Sequence, residues 1–416
     1  MSGVVQQQVP EGYKQTEVGV IPDDWSVKQV QDVCGFIVPG RNKPRSFDGD
    51  IPWITTPDLE DGRAVYKSRS SLRVTKAEAK FVGSKVVPEG SVIMTCVGEL
   101  GIVALAGCEI VLNQQLHAFL PTEKINSSFL VYALKRQESY FYTVATKTAL
   151  PYINKDNCNA TPIPLPSKKE QTAIAKALSD VDALIISLEK LIAKKRAIKT
   201  ATMQQLLTGK KRLPPFDKTH PGYKQTELGK IPEDWEVKAI SAVLSIRHGR
   251  DQKLVECRDG SYPILGTGGE MGRTDTFIYD KPSVLIGRKG TINKPVYMES
   301  PFWTVDTLFY SEVDKKYSTK FIYYKFCMID WMSYNEASGV PSLNASTIES
   351  IFESFPTDKE EQVFIADALS DMDKEIDTFE KRLNKTQQLK QGMMQELLTG
   401  KTRLPFDKVV HQGMEA

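Results

Sequence analysis

KKEQTAIAKALSDVDALIISLEKLIAKKRAIKTATMQQLLTGKKRLPPFDK, Lys168–Lys218, returns 191 residues later as KEEQVFIADALSDMDKEIDTFEKRLNKTQQLKQGMMQELLTGKTRLPFDK, Lys359–Lys408. In the first copy Ile174, Leu178, Val181, Ile185, Leu188 and Ile192 alternate four and three apart; in the second, Ile365, Leu369, Met372, Ile376, Phe379 and Leu383 keep the same spacing. Apolar residues at that interval line one stripe of a helix, and a stripe sustained for about three heptads asks for a partner of its own kind. Gly209 and Gly400 follow each run where a helix takes its left-handed terminal residue, and basic residues and proline come next. Two independent surface helices would be the simpler outcome. The matched seams favour two long helices paired with each other.

A polar stretch containing Pro and Trp is duplicated as well. GYKQTEVGVIPDDWSVK, Gly12–Lys28, matches GYKQTELGKIPEDWEVK, Gly222–Lys238, at thirteen of seventeen positions, 210 residues on. Because the two offsets differ, the stretches between duplicated blocks differ in length: Gln29–Ser167 is 139 residues and Ala239–Asp358 is 120. Each half of the chain is a constant start, a variable body and a constant helical end. RLPPFDKTHPGYKQTE joins the first helix to the second body, while the chain ends on RLPFDK and begins on VPEGYKQTE. If the helices run antiparallel, the second returns to the first body, and the chain is a ring of two equal units opened at one of two equivalent linkers. The expected fold is α+β, with two pseudo-twofold-related mixed α/β domains separated by two long helices paired as an antiparallel coiled coil. The boundaries read from the repeats are 1–167 for the first domain, 168–209 for its helix, 210–358 for the linker and second domain, 359–400 for the second helix, and 401–416 for a tail closing onto the N-terminus. Trp25 and Trp235 are expected to anchor the two domains as buried aromatics.

At 416 residues the chain exceeds one ordinary core, and domains of about 100–200 residues make two or three the expectation. Charged residues nearly cancel to +2, so net charge neither requires nor excludes a nucleic-acid partner. Cys34, Cys96, Cys108, Cys158, Cys257 and Cys327 form no C-x-x-C pair and have no histidine at metal-ligand spacing, which reads as reduced thiols and no metal site. No stretch approaches the roughly 18–20 apolar residues of a membrane span, and the N-terminus lacks a basic segment leading into an apolar run. A cytoplasmic protein with no membrane partner is the expectation.

Inside the variable bodies, short β-like runs lie between turn residues: DIPWITTPDL, GSVIMTCVGELGIVALAG and VLNQQLHAFL in the first, SYPILGTGG, SVLIGRKGTINKPVYM and FWTVDTLFYSEV in the second. They predict mixed sheets. Two weak parallels survive between the bodies. Gly98-Glu99-Leu100-Gly101 matches Gly287-Arg288-Lys289-Gly290, and Leu150-Pro151-Tyr152-Ile153-Asn154 matches Val340-Pro341-Ser342-Leu343-Asn344. Basic residues concentrate in candidate loops. Arg41, Lys43 and Arg45 flank Asn42; Arg63, Lys67, Arg69 and Arg73 open a stretch to Lys85 in which the one acidic residue is Glu78; Lys147 stands apart. The second body offers Arg247, His248, Arg250 and Lys253, then Arg288, Lys289 and Lys294. A basic run is ordinarily a solvated face. Recurrence in corresponding loops of a duplicated body points instead to double-stranded DNA, with Arg and Lys on phosphates and Arg, Asn and Gln reading base edges. Asn113, Gln114 and Gln115 are candidate readers, and strand-end hydrogen bonding is an equal alternative for them.

GYKQTE-x-G-x-IP-x-DW, the helix starts KKEQTAIAKALSDVD and KEEQVFIADALSDMD, and the helix ends MQ-x-LLTGK-x-RLP each occur twice in the same order. Over nearly the whole chain this set resembles the DNA-specificity subunit of type I restriction-modification systems. The resemblance implies two target-recognition domains, each reading one half of an asymmetric bipartite DNA site. It implies that the paired helices set the unread spacer and dock two modification subunits, which carry adenine methyltransferase chemistry with S-adenosylmethionine. Restriction subunits that translocate DNA, using ATP and Mg²⁺, would join them. No catalytic residue and no cofactor is implied for this chain itself. Independently of the resemblance, the run from Glu170 to Leu206 makes a helix of about 55 Å at 1.5 Å per residue. That length bounds the separation of two half-site centres at about 16 base pairs of 3.4 Å each.

Several fragments imitate enzyme sites. Leu213-Pro214-Pro215-Phe216 resembles the (Asn/Asp)-Pro-Pro-(Tyr/Phe) loop of amino-methyltransferases but has Leu where the polar acceptor must stand, and its copy Leu404-Pro405-Phe406 drops a proline. Both read as linker. Gly400-Lys401-Thr402 lacks the leading glycine of a phosphate loop, since position 395 is Gln. Pro57-Asp58 with Glu78-Ala79-Lys80 fits a nuclease's spacing, in which the acids would hold Mg²⁺, yet the second body has no equivalent. Leu265-Gly266-Thr267-Gly268-Gly269 is not framed as a strand feeding a helix. The alternatives to the leading reading are a coiled-coil DNA-binding adaptor or regulator without methyltransferase partners, and a stand-alone nuclease.

Overall fold

The computed structural model describes residues 9–40, 42–217 and 222–405. They fall into two compact units, one of Met1–Ser187 with Leu383–Ala416 and the other of Leu188–Arg382. Both long helices form, Lys168–Leu206 and Lys359–Leu397, each of 39 residues. Each helix gives one half to each unit, so the units do not end where the sequence repeats end.

Within each unit the start of one helix lies beside the end of the other, as antiparallel pairing requires. In the first unit Ile174, Ala175 and Leu178 share a core with Leu397 and Leu398; in the second, Ile365, Ala366 and Leu369 share one with Met203, Leu206 and Leu207. Both cores also contain residues of the bodies, so the first two positions of each seam are globular core as much as helix pair. Farther along, Ile185, Leu188, Ile192 and Ile376 are buried, and Val181, Met372, Phe379 and Leu383 are half-buried.

The paired stripe then becomes charged. Lys199 meets Asp373 in the second unit, and Lys390 meets Asp182 in the first. The same two carboxylates accept a tyrosine hydroxyl from a helix of the body: Tyr324 on Thr319–Met328 at 2.8 Å, Tyr132 on Ser127–Lys135 at 2.7 Å. Each lysine also stands over that tyrosine's ring, 5.4 Å and 5.7 Å from the centroid. Burial pushes both hydroxyls well above the usual tyrosine range, so they remain donors.

The duplicated opening stretch builds a junction around a buried carboxylate. In the first unit Trp25 is buried and its Nε1 donates to Glu170 at 3.1 Å, while the Arg403 guanidinium donates to both Glu170 oxygens at 2.6 and 2.8 Å and to Asp24 at 2.9 and 3.0 Å. In the second, Trp235 donates to Glu361 at 3.1 Å, and Arg212 donates to Glu361 at 2.6 and 2.7 Å and to Asp234 at 3.1 Å. The W of IP-x-DW, the E of K-x-EQ and the R of RLP are therefore one cluster, made twice. Gly209 and Gly400 take positive φ, 70° and 69°, and cap the helices. A Cβ on either would stand 2.4 Å from a ring atom of Pro232 or Pro22, in the adjoining hairpin. Tyr13 Oη donates to the carbonyl of Gly400 at 2.9 Å, and Tyr223 Oη to that of Gly209 at 3.3 Å. In the second unit this junction is continuous chain; in the first it joins residues near the two ends of the sequence.

Each body holds two larger sheets, both mixed in the first body, and one antiparallel and one mixed in the second. In the first, one sheet runs in the order Cys34–Ile37, Leu116–Pro121, Val92–Thr95, Val103–Ala106, Ala64–Val65, and the other Arg73–Val74, Ile51–Ile54, Ile110–Leu112, Val86–Val87. The second has Leu244–Arg247, Leu308–Val313, Ser283–Gly287, Val296–Met298, and Glu256–Cys257, Gly269–Thr274, Tyr262–Gly266, Trp303–Thr304. Among the described residues no helix is long and apolar enough to cross a membrane.

Candidate nucleic-acid interface

The two sheets of each body are joined by a three-residue crossing. In the first body Ile110–Leu112, parallel to Ile51–Ile54, leads through Asn113-Gln114-Gln115 into Leu116–Pro121 of the other sheet. In the second, Trp303–Thr304, parallel to Tyr262–Gly266, leads through Val305-Asp306-Thr307 into Leu308–Val313. VLNQQLHAFL, which reads as one β-like run, is thus two strands in two sheets, because pairing partners far along the chain decide which sheet each part joins. The crossings make matching hydrogen bonds. Asn113 N donates to the Ile54 carbonyl at 2.9 Å and Val305 N to that of Leu265 at 3.0 Å; Cys96 N donates to Gln115 at 2.9 Å and Arg288 N to Thr307 at 2.8 Å. One backbone shape carries two unlike sets of side chains.

A second loop closes on each crossing. Gly98 N donates to the Pro151 carbonyl at 2.9 Å and Ile153 N to that of Cys96 at 2.9 Å; Gly290 N donates to Pro341 at 2.8 Å and Leu343 N to Arg288 at 2.9 Å. Asn154 and Asn344 then cap the short helices Lys155–Asn159 and Ala345–Ser350. The parallel between residues 150–154 and 340–344 therefore holds in space. The glycine parallel shifts by three: Gly98 corresponds to Gly290, both at positive φ, 80° and 88°, and not to Gly287.

The candidate contacts divide accordingly. Asn113 is buried; its Nδ2 donates to Gln115 Oε1 at 3.2 Å, and Thr56 Oγ1 donates to the same oxygen at 3.3 Å. These two side chains brace the crossing, and Gln114 between them is exposed. In the second body Arg250, Arg288 and Lys289 come together there: Arg250 N donates to Thr304 at 2.8 Å, Lys289 N to Thr307 at 3.3 Å and Arg288 Nη1 to the Asp306 carbonyl at 3.2 Å. Lys147 is exposed on the loop that closes on Gly98.

The remaining candidates make no backbone hydrogen bond to the crossings among the described residues. Asn42 and Lys67 are exposed, Arg73 is exposed on its short strand, and Lys294 is exposed; Arg41 lies outside the described residues. Lys43 stands over the rings of Phe47 and Trp53 at 5.8 and 6.0 Å, and Arg45 over Phe81 at 4.9 Å. Arg63 and Arg69 both pair with Glu60, at 2.7 and 2.9 Å, Arg247 with Glu312 at 2.9 Å, and Lys253 with Asp251 at 3.9 Å. His248 meets the edge of Phe309 at 4.9 Å. His117, absent from the sequence-derived set, is buried beside the crossing in Leu116–Pro121, its Nε2 3.0 Å from Asn159 Oδ1. Burial holds its imidazole down at about 4, so it is neutral near pH 7.

The imitation sites resolve into structural parts. Asp58 is buried and accepts from Thr55 N at 2.7 Å, Thr55 Oγ1 at 2.8 Å and Arg69 N at 2.6 Å, which uses the carboxylate for capping and loop closure. Glu78 accepts from Arg45 N at 2.5 Å. The glycine cluster at 266–269 is the tip of the hairpin between Tyr262–Gly266 and Gly269–Thr274. Phe216 of the Pro-Pro linker is buried, edge-on to Phe364 at 5.6 Å. Among the described residues no group of three or more His, Cys, Asp or Glu is placed to hold a metal.

The chain matches the family model described as "Type I restriction modification DNA specificity domain" over residues 22–200 and 232–391. It is 26% identical over 427 residues to the type I restriction enzyme MjaVIII specificity subunit of Methanocaldococcus jannaschii, covering 95% of this chain and 96% of that protein. The MjaIX specificity subunit of the same organism is 27% identical over 260 residues, 61% of this chain and 60% of that protein's length. The crystal structure of a type I restriction-modification S subunit from M. genitalium shares the fold with a TM-score of 0.61 at 18% identity, covering 90% of this chain and 96% of that one.

Proposed function

Since this chain belongs to the type I restriction modification DNA specificity family, we propose that it is the DNA-recognition subunit of such a system and carries no catalytic site of its own. Each body reads one half of an asymmetric, bipartite double-stranded site. The long helices set the unread spacer and dock two modification subunits, which transfer the methyl group of S-adenosylmethionine to adenine; restriction subunits using ATP and Mg²⁺ complete the complex. The observation that carries the reading is the pairing of a duplicated frame with unlike crossings: Asn113-Gln114-Gln115 in one body and Val305-Asp306-Thr307 beside Arg250, Arg288 and Lys289 in the other. Equal scaffolds with different chemistry at the same turn are what two different half-sites require. Arg and Lys of both bodies would hold phosphates, and Gln114, Arg250 and Arg288 are the candidates for base edges.

The test is to co-purify the chain with its modification subunits and map methylated adenines in DNA. Two short unlike motifs at a fixed separation are expected. A single contiguous motif, or DNA binding with no methylation, would overturn the reading and favour the adaptor alternative.

A further inference from the structure

The loops that close on the two crossings have kept one feature their sequences give no structural reason to keep. Leu150 is 58% exposed and Val340 is 67% exposed, and they occupy the same place, each just before the proline whose carbonyl receives Gly98 N or Gly290 N. Around them the supports have changed. In the first body Thr146 Oγ1 accepts from Tyr152 N at 3.2 Å and Thr148 Oγ1 donates to the Leu150 carbonyl at 2.7 Å. In the second, Asn335 Oδ1 accepts from Ser342 N at 2.9 Å and Ala337 N at 3.1 Å, and Asn335 Nδ2 donates to Ala337 O at 2.8 Å. Different side chains hold the same loop, and it presents an aliphatic residue to solvent both times. Cations flank it: Lys147 three residues before Leu150, and Arg288 and Lys289, bonded to Leu343 and bridged to Ser342, beside Val340.

A braced loop with an aliphatic tip beside cations has the make-up of a wedge that seats against stacked bases. We propose that Leu150 and Val340 are apolar wedges, one for each half-site, that press between base pairs or against their faces in the same manner in both bodies. The wedge supplies affinity without sequence choice, while the unlike crossings beside it supply the choice. This rests on the reading of the chain as a DNA-recognition subunit.

The experiment uses the full chain assembled with its modification subunits and duplexes of the mapped site carrying 2-aminopurine at successive positions other than the methylated adenine. The wild-type complex is expected to raise fluorescence at one step in each half-site. Leu150→Ala should abolish the rise in one half-site only and Val340→Ala in the other, each weakening binding about tenfold, the loss expected for one aliphatic side chain removed from an apolar contact. Leu150→Met should keep the signal in both half-sites, and the methylated sequence should stay the same in every variant. Both residues are exposed, so unchanged thermal melts will show that the fold is intact. Methylation by the wild type with no responsive step, or alanine variants that bind and methylate as the wild type does, overturns the wedge and leaves the recognition function standing. A wild-type complex that neither binds nor methylates any DNA overturns both.

Discussion

The duplicated Trp, Glu and Arg show how the same three residues can differ in consequence. Arg212 and Glu361 have side chains 3% and 2% exposed, so removing Arg212 leaves the Glu361 carboxylate buried without its cation. Arg212→Ala, which strips buried Glu361 of its cation, should destabilise the second unit by about 3–5 kcal/mol, as for other buried pairs broken on one side. Arg403 is 40% exposed, and its loss admits water to Glu170. Arg403→Ala should cost about 1–2 kcal/mol, discounted for that screening. Denaturant unfolding of the full-length variants checks the order, and equal losses would contradict it. His117 offers a pH test with a definite sign. Its folded value of about 4 lies below the ordinary 6.5, so the unfolded chain binds the extra proton and stability falls as pH drops from above 6.5 towards 4. Between pH 7.5 and 5 the loss should be about 2 kcal/mol. His117→Phe, the residue type of Phe309 in the matching strand, should remove that part of the pH slope in thermal melts.

At the level of elements, the lysine–aspartate pair within each helix pair fixes its register. Sliding one helix by a heptad would bury Lys199 or Lys390 against apolar residues and strand Asp373 or Asp182. A double-mutant cycle on Lys199→Met and Asp373→Asn should give a coupling of about 1–2 kcal/mol, and the charge-exchanged pair Lys199→Asp with Asp373→Lys should recover part of it. The helices themselves were plain in the sequence, since their apolar spacing and glycine caps are local signals. The lysines that end the seam were not, because a charged residue at a seam position is recognised only when its partner from the other helix is in view. The sheets were legible as β-structure but not as topology: Asn113-Gln114-Gln115 is a short polar interruption, and nothing local in it says that the chain changes sheet there. Likewise the sequence match sets Gly98 against Gly287, whereas hydrogen bonding sets it against Gly290. Candidate contacts fared as such inferences do. Composition finds cations, but the pairing of Arg247 with Glu312, sixty-five positions away, depends on strand register.

For the whole molecule, a frame that repeats around bodies of unlike length should allow one body to be exchanged. Exchanging Gln29–Ser167 for the corresponding body of another family member should change one half-site of the methylation motif and leave the other untouched. Inserting one heptad into both helices should lengthen the spacer and leave both half-sites readable. Genome-wide methylation mapping reads both outcomes, and a change in both half-sites on exchange of one body would contradict the independence of the two bodies.

The way the first unit is closed bears on how the protein is made. A ribosome delivers residues 188–382 as one uninterrupted run, and that run is the second unit. The first unit has most of its body early but lacks its closing helix end and Arg403 until the whole of the second unit has been read. Until then Ile174, Leu178 and the rest of that core have no Leu397 or Leu398 to cover them. The first unit to be synthesised is thus the last to be completed, and every chain released before residue 403 carries an unfinished core that proteolysis can recognise.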